Sequence, residues 1–236
     1  MAIQTKLLNY DCDGVRLEGY LAWDDSIGTA PAIAVSHAWG GRGEFEESKA
    51  LALAEMGFVG FAIDMYGEGK QGNNPEENEA LMTPLLADRD LLGRRIERAI
   101  ETLREQSQVD SSKIAAMGYC FGGLCVLDLA RRGSDVSGVV SFHGLFTPPN
   151  DEVKPISTKV LCLHGYQDPM ALPESVVALG EEMTKAGADW QLYAYGNALH
   201  SFTNPAANDR DFGTVYDADS DRRSWLALTN FLEEIF

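Results

Sequence analysis

The stretch that decides the fold is Met117-Gly118-Tyr119-Cys120-Phe121-Gly122-Gly123, MGYCFGG. A nearly continuous apolar run, Lys113 to Gly118, leads into it, and a helix-like run, Gly123 to Arg131, leads out. A strand that is apolar at almost every position needs cover on both faces, so Lys113 to Gly118 is expected at the centre of a parallel sheet. Gly-x-Cys-x-Gly at the junction makes room for a sharp turn, because a strained nucleophile backbone and a closely packed following helix both demand small neighbours. Cysteine stands where serine is usual. Read functionally, Cys120 projects above the sheet near a helix N-terminus whose partial positive charge favours a thiolate. Read structurally, it is a buried thiol packing as a small hydrophobe. The glycine pattern after an apolar strand favours the catalyst.

Outward from this turn, short apolar runs alternate with longer amphipathic ones, as parallel strands joined by helical crossovers require. Strands are expected at Thr5 to Asp11, Val15 to Trp23, Ala32 to His37, Val59 to Asp64, Lys113 to Gly118, Gly138 to His143, Val160 to Gly165 and Trp190 to Tyr195. Helices are expected at Phe45 to Met56, Leu86 to Gln106, Gly123 to Arg131, Pro173 to Ala186 and Arg222 to Ile235. Asp13-Gly14 between the first two strands is a hairpin signal, which makes that pair antiparallel and places it at the sheet edge. The long connection Tyr66 to Pro84, rich in Gly, Asn and Glu, reads as a solvated loop, with a lid as its alternative. The fold class is α/β: one domain over residues 1–236, a mostly parallel sheet with helices on both faces and an N-terminal antiparallel hairpin.

The chain has 236 residues, enough to bury roughly 70% of its unfolded surface in one core. An apolar fraction of 45% with 23% charged residues is that of a globular protein. A net charge of −17 disfavours nucleic acid and anionic membranes as partners, since both attract clustered Lys and Arg. With no basic-then-apolar leader at the N-terminus and no run of membrane-spanning length, a cytoplasmic protein is expected. Cys12, Cys120, Cys125 and Cys162 lack paired spacing and are expected to be reduced. Neither they nor His37, His143, His164 and His200 form close ligand pairs, so no metal is expected.

A nucleophile of this kind needs an acid and then a histidine later in the chain. Asp168 follows the apolar run Val160 to Gly165, beyond a strand's C-terminal end, where open α/β sheets place their sites. His200 lies after the last expected strand, and of the four histidines it alone follows Asp168. Its expected work is to hold the thiol proton and later activate water, with Asp168 orienting the ring. His37, His143 and His164 each end an apolar run and read as structural imidazoles bonded to nearby loops. The amides of Ala38 and Phe121 are the candidate oxyanion donors. Gly67-Glu-Gly-Lys-Gln-Gly72 fits a dinucleotide fingerprint only superficially, because Asn73-Asn74-Pro75 follows where an apolar helix start is needed, and it reads as a flexible loop. Asp217, Asp219 and Asp221 mimic the opening of a calcium loop but lack its glycine, and they read as caps of the final helix.

Taken together, Gly118-Tyr-Cys-Phe-Gly-Gly123, His164-Gly-Tyr-Gln-Asp-Pro169 and His200-Ser-Phe202, preceded by His37-Ala-Trp-Gly40, resemble the dienelactone hydrolase family of α/β-hydrolases over nearly the whole chain. The resemblance implies a single domain without a large cap and a triad of Cys120, Asp168 and His200. It also implies hydrolysis of lactones or small carboxylic esters without metal or cofactor. Family members that act on dienelactone carry a glutamate against the resting thiol, at a position matching His37 here, and an arginine four residues after the catalytic histidine, where this chain has Asn204. The family's other substrate-binding arginine has no firm counterpart in the Asn78 to Leu92 stretch, where Arg89 is the displaced candidate. Loss of a bidentate guanidinium clamp points to neutral or differently shaped esters, lactones or thioesters. Trp39, Tyr66, Tyr119 and Phe202 are candidates to line an apolar substrate site, or to serve as core and rim packing. Two rival readings remain: a redox-reactive thiol with Cys125 as partner to Cys120, and a noncatalytic binding protein on the same fold.

Overall fold

The computed structural model describes residues 2–149 and 152–236. The chain forms two compact units, residues 1–117 and 118–236.

In the first unit, β1 (Ile3–Cys12) and β2 (Val15–Asp24) pair antiparallel in full register from Ile3 opposite Asp24 to Cys12 opposite Val15. The turn between them has Asp13 and Gly14 both at positive φ, 55° and 77°, the backbone that the Asp-Gly pair was expected to supply. β3 (Ala30–Ser36) and β4 (Val59–Ile63) are parallel to each other, while β2 pairs antiparallel with β4. With β5 (Val109–Tyr119), whose last two residues open the second unit, the strand order is β1-β2-β4-β3-β5. Helix α1 (Glu44–Glu55) lies on this sheet through alanines: Ala50 and Ala54 close a buried cluster with Ala22 and Ala62. Small residues let backbones approach, and a Cβ on Gly60 would stand 2.3 Å from the Ala50 carbonyl oxygen.

Helix α2 (Pro75–Ala87) corrects the expected Tyr66 to Pro84 loop. Its only buried residue is Leu85, so it has almost no apolar stripe for periodicity to reveal. Its start is nevertheless marked, because Asn74 accepts the Glu77 amide and Pro75 occupies the first turn. Asp88 ends α2 and caps α3 (Arg89–Arg104) by accepting from the Leu91 amide, which is why the latter helix begins later than the expected Leu86. The Gly67–Gly72 segment also differs from a flexible loop: Asp64, fully buried at the end of β4, accepts from the amides of Glu18, Tyr66, Gly67 and Gly69 at 2.8–3.0 Å.

In the second unit α4 (Phe121–Arg131) is buried along its whole length. β6 (Gly138–Phe142), β7 (Lys159–Gly165) and β8 (Trp190–Tyr195) are parallel in that order. Arg131 is buried and ties α4 to α5 (Pro173–Lys185), with Nε and Nη2 each 2.8 Å from the Glu182 carboxylate, Nη1 3.1 Å from Asp128 and a further bond to the Phe146 carbonyl. The two-residue strands β9 (Asn208–Asp209) and β10 (Thr214–Val215) form a small ladder, and α6 (Ala218–Ile235) ends the chain with Asp217 as its cap, accepting the Ser220 amide. The mostly parallel α/β sheet with an N-terminal antiparallel hairpin is the fold class read from the sequence. Among the described residues no helix is long and apolar enough to cross a membrane.

Gly60→Ala is expected to cost about 1–3 kcal/mol by overpacking against the Ala50 backbone. Gly28→Ala, with nothing within 4 Å of the new Cβ, is expected to be near neutral. Thermal unfolding of the two variants side by side checks this, and equal melting temperatures would contradict it.

Candidate active site

Cys120 sits between β5 and α4 with φ 54° and ψ −114°, a backbone that costs a residue with a Cβ on the order of 1–3 kcal/mol. Its neighbours explain how the turn closes. A Cβ on Gly118 would lie 2.1 Å from the Gly122 carbonyl oxygen, and one on Gly123 would meet Ser141 Oγ at 2.6 Å. The Cys120 amide donates to the Phe142 carbonyl at the end of β6, and its carbonyl accepts the first helical bond, from Leu124. Phe121, whose amide follows directly, is the first residue of α4.

Asp168 follows β7 and is almost wholly buried. Its Oδ1 accepts from the Met170 amide at 2.7 Å, and its Oδ2 accepts from His200 Nδ1 at the same distance. That bond fixes the His200 tautomer and turns Nε2 away from the carboxylate. The His200 backbone is pinned on both sides, donating to the Gly213 carbonyl at 3.0 Å and accepting from the Val215 amide at 3.1 Å. Burial is the largest influence on the imidazole and opposes its charged form. The electrostatic influence of Cys120 and the hydrogen bond to Asp168 outweigh it and raise the His200 pKa to about 10. Asp168 and His200 are therefore joined by a hydrogen bond within the second unit, the Cys120 sulfur acts on the imidazole electrostatically, and His200 Nε2 has no hydrogen-bond partner among the described residues.

Around them the remaining expectations divide. His143 is bonded as a strand-end imidazole should be, with Nε2 2.9 Å from Thr203 Oγ1, and its ring also stands 5.1 Å from that of His200. His164 departs from the expectation: it is fully buried, its ring lies 5.5 Å from Phe146, and neither nitrogen has a hydrogen-bond partner among the described residues. Burial pushes its pKa down, so it stays neutral. Tyr119 and Phe202 are wholly buried; Tyr119 stacks on Phe142 at 4.8 Å, and Phe202 meets His143 at 5.2 Å and Tyr195 at 5.4 Å, so both rings serve packing. Asn204 is half-buried, and its Oδ1 accepts from the Ala206 amide in a local turn.

The first unit holds the other candidates in two interlocked loops. His37 Nδ1 donates to the Ala38 carbonyl at 2.6 Å, and its Nε2 accepts from the Met65 amide at 3.1 Å. That pattern requires a neutral ring, and burial lowers its pKa accordingly. The Tyr66 hydroxyl donates to the Trp39 carbonyl, while the Tyr66 ring packs edge-on against His37 at 4.6 Å. The Gly72 amide donates to the Gly40 carbonyl. The Ala38 amide already has a partner: it donates to Glu46 Oε1 at 3.3 Å, a long bond to a buried carboxylate whose pKa burial pushes up. Arg89 is the first residue of α3. Sequence reasoning did not single out Asp64, Glu46, His143 or Thr203 for the site, and only the strand-end position of His143 could have drawn attention to it.

The dienelactone hydrolase family model matches residues 17–236. The chain belongs to the dienelactone hydrolase family. It is 33% identical to a dienelactone hydrolase-like promiscuous phosphotriesterase from metagenomic libraries, with a TM-score of 0.96 and full coverage of both chains. A putative carboxymethylenebutenolidase of Aquifex aeolicus is 26% identical over 233 residues, 97% of each chain. An uncharacterized protein of Caenorhabditis elegans is 39% identical over 148 residues, which is 60% of this chain and 92% of the relative. As a dienelactone hydrolase family member with the α/β-hydrolase fold, the chain is a hydrolase of the ester and lactone class.

Because the folded pKa of His200 lies above the unfolded value of about 6.5, the stabilisation its charge contributes is complete below that value. It is lost as pH rises through about 10. Carbon-13 spectra of the ring are therefore expected to report an imidazolium at pH 8 in the wild type and a lower transition in Cys120→Ala. A neutral ring at pH 8 in the wild type would remove the charge pair.

Proposed function

We propose that the protein hydrolyses small neutral carboxylic esters, lactones or thioesters with Cys120 as nucleophile, His200 as acid and base, and Asp168 as the group that orients His200. The observation that carries this reading is the meeting of a left-handed cysteine at a strand-to-helix turn with a buried histidine whose charge is sustained by that sulfur and by a carboxylate at 2.7 Å. In the proposed cycle Sγ attacks the carbonyl carbon and forms a C–S bond. The C–O bond breaks, and the leaving oxygen takes the proton held on His200 Nε2. Water then gives a proton to Nε2 and adds to the thioester carbon, and the carboxylic acid leaves as sulfur regains its charge. The amides of Phe121 and Ala38 are the proposed oxyanion donors, the latter exchanging its long bond to Glu46 for the developing charge. Residues 1–236 are proposed to act as one domain in this reaction, without cofactor or metal and in the cytoplasm.

Neutral substrates are favoured because Asn204, standing where dienelactone-cleaving relatives hold a carboxylate with arginine, spends its carbonyl on a local turn. A second substrate class, neutral phosphotriesters, is supported by the 33% identity to the metagenomic phosphotriesterase along the whole chain. The same sulfur would attack phosphorus and expel an aryl oxide. A Cys120/Cys125 redox pair has less support, since Cys125 lies within the buried helix α4.

Hydrolysis of a small activated ester, a thioester and a neutral aryl phosphotriester under reducing conditions tests the reading. Cys120→Ala and His200→Ala are expected to lose about 10³-fold or more in kcat, and Asp168→Asn about 10²–10⁴-fold, with circular dichroism unchanged. Retained ester turnover in a folded Cys120→Ala variant would exclude the cysteine mechanism.

A further inference from the structure

One nitrogen bound to Asp168 does not fix the plane of the His200 ring. The last torsion of histidine is broad, and a carboxylate accepts over a range of directions. A second contact is needed for Nε2 to point at sulfur with the precision that a proton transfer demands.

His143 supplies a contact of that kind. It follows β6 directly with φ 37°, a left-handed backbone that costs a non-glycine residue and is found where the surroundings over-determine it. Two bonds hold it there: its amide donates to the Leu163 carbonyl on β7 at 2.7 Å, and its Nε2 lies 2.9 Å from Thr203 Oγ1. Thr203 is buried, and its β-branch leaves its hydroxyl few positions. So held, the His143 ring stands 5.1 Å from the His200 ring at 65°, an edge contact, and 5.2 Å from Phe202 at 81°. Thr203 belongs to the same loop as His200. The backbone bonds of that loop run to residues 213–217, from His200 to Gly213 and Val215 and from Phe202 to Asp217. The His143–Thr203 bond fastens it on the other side, to the end of β6.

We propose that His143, locked by Thr203, is a positioning residue that sets the tilt of the His200 ring while Asp168 sets its tautomer. A left-handed backbone, a buried side-chain bond and a ring contact then serve one purpose, and the strain at His143 has a functional cause. The proposal deepens the hydrolase reading and rests on it only for its kinetic consequence.

The test compares Thr203→Val, which keeps the shape and removes the hydroxyl, with Thr203→Ser, which keeps the hydroxyl. In the wild type the proton between His200 Nδ1 and Asp168 is expected as a sharp low-field proton resonance. In Thr203→Val that resonance broadens or shifts, kcat for a small activated ester falls about tenfold, and KM stays within about twofold. Thr203→Ser restores both readouts. An unchanged resonance and kcat in Thr203→Val would overturn the proposal. So would a loss shared equally by Thr203→Ser, or a lowered melting temperature with the resonance intact, since a purely structural role predicts these. If the wild type hydrolyses nothing, the hydrolase reading fails on its own, and the resonance still decides whether His143 holds His200.

Discussion

Everything in the second unit is arranged around a cysteine whose backbone φ is 54°. An L-residue in that conformation is held by what surrounds it, so the strain must be offset by neighbours. Gly118 lets α4 fold back until the Gly122 carbonyl occupies the space a side chain would take. Gly123 lets the same helix press against Ser141 and Gly144. The bond from the Cys120 amide to Phe142 fastens the turn to the neighbouring strand. With the turn fixed, the Cys120 side chain leaves the backbone in one direction, and Asp168 and His200 are both buried, where electrostatic interactions are strong. Strain, close packing and the raised His200 pKa are thus three consequences of one turn.

The first unit solves a different problem, that of holding two polar loops still. Asp64 collects four backbone amides and so shapes the 64–69 segment. That segment presents the Met65 amide to His37 and the Tyr66 hydroxyl to Trp39. A neutral His37 can both donate and accept, which an arginine or lysine at the same place could not. His37 is thus a bracket between the two loops, and the buried Glu46, from α1, meets the Ala38 amide beside it.

How much of this the sequence discloses depends on whether the cause is local. The inner strands β3, β4, β6 and β7 and the second half of β5 are legible as apolar runs bounded by turn residues, and the edge hairpin of β1 and β2 from the Asp13-Gly14 turn, whose residues both tolerate positive φ. The turn at Cys120 is legible from the glycines that flank it, and the bond between Asp168 and His200 joins two residues that the sequence offers in the order this architecture asks for. Helix α2 escapes the pattern because packing barely defines it; only Leu85 is buried, and its signal lies in the cap Asn74-Pro75 rather than in periodicity. His143 and Thr203 escape for the opposite reason. They are 60 residues apart, and nothing in either neighbourhood announces the bond that joins them.

A last constraint links the charge of the whole chain to the chemistry of the turn. A protein of net charge −17 works against an oxyanion unless the local field reverses the global one. Five of the six helices, α1, α2, α3, α5 and α6, carry an acid in the first turn, where it satisfies that helix's own positive end. Only α4, which begins immediately after Cys120, has none: its first turn is Phe121, Gly122, Gly123 and Leu124. No acid of its own first turn meets its dipole, which suits the negative charge proposed for the sulfur and for a carbonyl oxygen under attack. The distribution of first-turn acids thus separates five helices that neutralise their own N-termini from one, next to Cys120, whose positive end meets no such acid.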